Sequence, residues 1–126
     1  MHVYRAHAQR SHSHSLELKG RRDIRAATGT QEFVRDAPVN LIYVAHGERM
    51  KELLAAERKL YACVDAAFIG ENVYLYAAAQ GLATVFRGAV DTAQLGRELA
   101  LGPDEFVTFA QSVGYGLSPR SANEAR

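Results

Sequence analysis

Tryptophan is absent from the 126 residues, proline occurs three times and cysteine once. The lone Cys63 excludes an internal disulfide and any zinc site made of several thiolates, and it suits a reducing, cytoplasmic setting. No secretory signal opens the chain, because charges and histidines stand within Met1–Arg10 where an apolar core would lie. The longest uncharged stretch, Asn72–Phe86, has 15 residues and contains Asn72 and Gln80. It falls short of the ~20 apolar residues that a membrane helix needs. Neither charge sign dominates. Fifteen Lys+Arg against fourteen Asp+Glu exclude a strongly basic nucleic-acid binder and an acidic tail. The distribution is uneven: residues 1–25 carry six basic and two acidic groups, net +4, and the remainder nine against twelve, net −3. A basic start suits either an anionic partner or a solvated arm. Dinucleotide, P-loop, serine-elbow and HExxH motifs are all missing; Gly114-Tyr115-Gly116 lacks a third glycine and opens no helix.

What is present is a 48% hydrophobic composition, enough for one core in a chain of single-domain length. Two short strands are expected around a loop at Gln9–Ser13, the first at Val3-Tyr4. In the second, Leu16 and Leu18 alternate with Ser15, Glu17 and Lys19. Arg21–Ala27 reads as a short helix stopped by Gly29, and Thr30 as the cap of another that Pro38 closes. Val39–Ala45 is the clearest strand, and its nearly continuous apolar character predicts a central one covered on both faces. Glu48–Glu57 opens a charged helix. Leu60–Gln80 is the dominant helix, apolar almost all round and rich in alanine, with Gly81 as its left-handed cap. Leu82–Phe86 reads as a strand, Asp91 as the cap of a helix through Ala100, and Phe106–Ala110 with Val113 as the last strand. Strands separated by helices predict an α+β sandwich, a helix-covered mixed sheet of about four or five strands, as one domain over residues 1–120. Residues 121–126 read as a disordered tail.

Few side chains announce chemistry. His7, His12 and His14 are close in sequence, but a metal site needs further ligands in fixed geometry, and they read as solvated turn histidines. His46 ends the strongest strand without an identifiable nucleophile or carboxylate beside it. Cys63 reads as a buried structural thiol. Asp65, Glu71 and Asn72 interrupt the long helix and must bond nearby backbone or face a subunit boundary.

The order of elements from Asp65 to Arg120 is more informative. It comprises the helix Asp65–Asn72, its ending at Ala78–Leu82, the turn Arg87-Gly88, the element Leu101–Glu105 and the close Val113-Gly114-Tyr115. Together with the upstream stretch Gln31–Val39, this succession resembles the C-terminal half of the FMN-dependent nitroreductase superfamily. The similarity is greatest to its peptide azoline-ring dehydrogenases and covers about residues 3–120. In that family flavin carries the redox chemistry and the protein supplies placement. The resemblance implies that Val85–Gly88 lies against the flavin ring and that the Gly88 amide donates to its N5 atom. Without a Cβ, that backbone can approach a flat ring closely. Phe86, Arg87, Gly88 and Arg120 are thereby the candidate FMN-binding residues, with Arg120 on the phosphate. The resemblance further implies a homodimer using NAD(P)H and a nitro, quinone or azoline-type acceptor, with no catalytic acid or base and no metal among its residues. The family's N-terminal half, with its arginine-rich phosphate motif, has no counterpart before residue 3. Arg21–Arg25 reads instead as the helix before the core strand. Taken without the resemblance, Arg87-Gly88 is an ordinary turn and Arg120 a frayed end. The alternative is a flavin-less dimer acting in binding or assembly.

Overall fold

A computed structural model describes residues 23–116 and, as backbone only, two strands before them. Those strands, β1 (His2–Ala8) and β2 (His14–Arg21), form an antiparallel hairpin that is a sheet of its own, with a register shift between Val3 and Tyr4. Two short helices follow, α1 (Arg25–Thr28) and α2 (Glu32–Asp36). Strand β3 (Val39–His46) leads through a 3-10 turn at Gly47–Met50 into the long helix α3 (Ala55–Ala79). Strand β4 (Ala83–Arg87), helix α4 (Thr92–Glu98) and strand β5 (Glu105–Gly114) complete the order.

The α+β class and the dominant helix agree with the sequence reading, but the main sheet is smaller and differently ordered. Among the described residues it has three strands in the order β3-β5-β4, and every neighbouring pair is antiparallel. The mixed sheet of four or five strands is therefore corrected: β1 and β2 pair with each other, and β5 separates β3 from β4. Strand β3, expected at the centre, is an edge. The centre belongs to β5, whose Ala110 and Gln111 are fully buried.

Helix α3 lies against β4 and β5, while α4 packs on β5 and α1 on α4 and β3. On the α1/α4 side the core is Ile24, Ala27, Leu95 and Val107, bordered by Ile42, Val44, Val90, Leu99 and Leu101. A bulge falls here: Ile42 pairs with Ala110 but Val44 with Val107, so β5 carries an extra residue between them. That residue puts Val107 and Ala110 on one face and turns Phe109 and Gln111 toward α3.

Helix α3 begins at Ala55, not at Leu60, and Glu48–Glu57 forms no separate helix. The Glu57 carboxylate accepts the Leu54 N–H at 3.0 Å, and Arg58 donates to the Leu53 and Lys51 carbonyls at 2.8 and 2.9 Å. These charged residues stabilise the first turn and extend the helix to 25 residues. It ends on Gly81 at φ +68°, where Leu82 N–H reaches the Ala77 carbonyl at 2.8 Å. Asp91 caps α4 through the Gln94 N–H at 2.8 Å. That helix stops at Glu98, short of Ala100, which adopts a left-handed φ of 50°. Thr30 caps nothing: α2 has Gln31 at its start and no side-chain cap bond. The helix read at Arg21–Ala27 contracts to Arg25–Thr28, because Arg21 belongs to β2. Among the described residues no helix is long and apolar enough to cross a membrane.

Candidate functional site

The turn at Gly88 stands at the C-terminal end of β4, beside the β5 bulge. Strand β4 is an edge, so alternate N–H groups point off the sheet. Phe86 N–H is one of these and donates to the Tyr74 hydroxyl at 2.8 Å. Two residues on, the Gly88 N–H faces the same way and has no acceptor among the described residues. Its carbonyl accepts from Val90 N–H at 3.0 Å, which closes the turn.

Among the described residues nothing demands glycine at this position. A Cβ there would meet only the Phe109 ring, at 3.5 Å, an ordinary contact. The exposed backbone and outward donor suit a flat guest bearing hydrogen-bond acceptors.

Phe86 turns the other way, toward α3. Its ring lies between Tyr43 and Phe109, with centroids 5.6 and 4.9 Å away, and it rests on Gly70. Gln111, fully buried, ties this cluster together: its Oε1 accepts the Tyr43 hydroxyl at 2.5 Å and its Nε2 donates to the Gly70 carbonyl at 3.2 Å. Burial, with Tyr74 nearby, pushes the Tyr43 phenol up to about 12. Phe86 thus backs the strand that carries Gly88.

Arg87 is buried on the opposite side of β4, donating to the Thr28 carbonyl and to Asn40 Oδ1. Its guanidinium is occupied inside the protein, so only its backbone lies along the turn. Arg120 lies outside the described residues, as do residues 121–126 and the side chains of His7, His12 and His14. Among the described residues no cluster of three or more His, Cys, Asp or Glu could hold a metal.

His46 has a carboxylate partner that local sequence could not reveal. Its Nδ1 lies 3.2 Å from Glu105 Oε1, brought opposite by the β3–β5 register. Glu105 Oε2 also accepts the Gly102 N–H at 3.0 Å. A cleft of about 340 Å³ opens nearby, lined by residues that include Lys59, Leu101, Glu105 and Phe106, and Phe86, Arg87 and Gly88 do not border it. Cys63 is half-buried on the flank of α3, not enclosed, and Asp65, Glu71 and Asn72 are exposed. Tyr74 was also missed, since its hydroxyl meets β4 only once α3 is folded against the sheet.

A model of the Nitroreductase family matches residues 2–115. Similar solved structures include one from Ralstonia eutropha JMP134 described as a "putative nitroreductase", with 39% sequence identity and a TM-score of 0.74. The similarity covers 82% of this chain and 49% of that one, so the chain spans about half that protein's length. No curated protein matches it.

Proposed function

The chain belongs to the nitroreductase family, and from that premise we propose that it serves as an FMN-dependent oxidoreductase of nitroreductase type. The observation that carries this reading is the Gly88 turn: an outward N–H on a residue whose missing Cβ the fold does not require. The residues present fit the ring end of a flavin. Gly88 would donate its N–H to the ring edge, and the Phe86 cluster would hold β4 rigid behind it. Arg120 would meet the phosphate, and Arg87, its side chain buried, would offer only its backbone to the ring. When bound, FMN supplies hydride acceptance from NAD(P)H and electron delivery to a nitro, quinone or azoline-type acceptor.

A homodimer is part of the proposal. Leu60, Tyr61, Val64, Phe68 and Leu75 are exposed on α3, on the side away from the sheet. An apolar strip of this size marks an interaction surface, and a second copy of α3 offers a matching one.

The test is purification of the chain followed by FMN titration and light scattering. A yellow dimer whose flavin colour bleaches on adding NADH or NADPH supports the proposal. A protein that leaves the fluorescence of added FMN unchanged overturns it. The exposed strip on α3 also suits a second reading, a flavin-less dimer acting in binding or assembly. A colourless dimer would point there.

A further inference from the structure

Arg87 is 3% exposed, yet its charge has no anionic partner among the described residues. Nη1 donates to the Thr28 carbonyl and Nη2 to Asn40 Oδ1 at 3.1 Å, while the buried Nε has no partner at all. Burial lowers its pKa from the ordinary guanidinium value. An apolar side chain of similar length would fill this space without an orphaned donor. What the guanidinium adds is a fork that holds two elements at once.

The two elements are α1 and β3, and α1 grips the turn twice. Thr28 offers its carbonyl to Arg87, just before Gly88, and Ala27 offers its own to Asp91 N–H, just after Val90, at 3.2 Å. Gly29 leaves the room: a Cβ there would collide with Arg87 Nη1. The β3 anchor is itself fixed, because Asn40 Oδ1 accepts from Ser112 Oγ at 2.6 Å and Asn40 Nδ2 donates to the Val34 carbonyl at 3.0 Å.

We propose that Arg87 is a positioning residue that sets the Gly88 amide from beneath, by clasping the turn to α1 and β3 without touching what sits on it. The proposal rests on reading the Gly88 turn as a flavin seat, and it can fail separately from that reading.

The experiment compares the full chain with Arg87→Met and Arg87→Lys by amide hydrogen exchange and FMN titration. In Arg87→Met the Asp91 amide should exchange at least tenfold faster than any change in the β5 amides accounts for, and FMN should bind about tenfold more weakly. Arg87→Lys should recover part of both effects, because an ammonium can replace one of the two bonds but not the fork. Should Arg87→Met fail to fold, Arg87→Lys alone decides, with the same two effects expected at smaller size. Asp91 exchange that changes only in step with β5, or FMN binding as tight as in the unmodified chain, would overturn the clasp. If the unmodified chain binds no FMN, the flavin reading fails and the exchange measurement alone decides the role of Arg87.

Discussion

The two sides of α3 are both apolar but are used in opposite ways. Toward the sheet it presents Ala62, Ala66, Gly70 and Ala77, all buried; away from it stand Tyr61, Val64, Phe68 and Leu75, all exposed. At 3.6 residues per turn the two sets lie on opposite sides of the rod. Small residues bring the helix backbone close enough for Gly70 to touch Phe86 and Gln111. The bulky side chains are left for another surface. Apolar character alone does not separate these roles, whereas side-chain size does.

The largest expected effect breaks the inner side. Gly70→Leu would drive its side chain into the Phe86 ring, whose Cδ2 is 2.5 Å from the position of a Cβ. Urea unfolding should show a loss of about 3 kcal/mol, even though leucine is the better helix former. A neutral result would mean that the close approach is not needed. On the outer side, Phe68→Asp should leave far-UV circular dichroism unchanged but weaken the proposed dimer by about 2 kcal/mol, roughly 30-fold in Kd. Sedimentation at graded concentration reads this directly, and an unaltered oligomer would place the interface elsewhere. The smallest effect concerns Tyr43. Its phenol is held neutral up to about 12 in the folded chain, against an ordinary value near 10. The folded state thus favours the proton-bound form. The resulting stabilisation is complete below pH 10 and is lost as pH rises from 10 toward 12. Tyr43→Phe should flatten that decline, as read by denaturation at stepped pH.

Much of this architecture was legible because local rules governed it. The strand tendency of β1 and β2, the Gly81 cap and the Asp91 cap each depend on neighbours within a few residues. The strand order was not legible. Val39–Ala45 reads as the clearest strand, nearly continuous in apolar residues, yet the central strand is β5, with Thr108, Gln111 and Ser112 along it. Its polar groups are bonded across elements: Gln111 to Gly70 and Tyr43, Ser112 to Asn40. Such partners lie 41 to 72 residues apart, beyond any local pattern. The same limit hid Glu105 from His46 and Tyr74 from Phe86. At the candidate site the resemblance pointed to Gly88, whose exposed backbone suits the role, and to Arg87, whose side chain faces inward. The alternation of β4 turns adjacent side chains opposite ways, so Phe86 packs toward α3 and Arg87 toward α1 and β3.

The most direct measurement follows the Gly88 backbone amide by NMR during FMN titration of the full chain. A saturable downfield shift at Gly88, lost in a Gly88→Val variant with an unchanged melting temperature, is the result this account predicts. An amide that stays in place while FMN binds, or an absence of binding altogether, would contradict it.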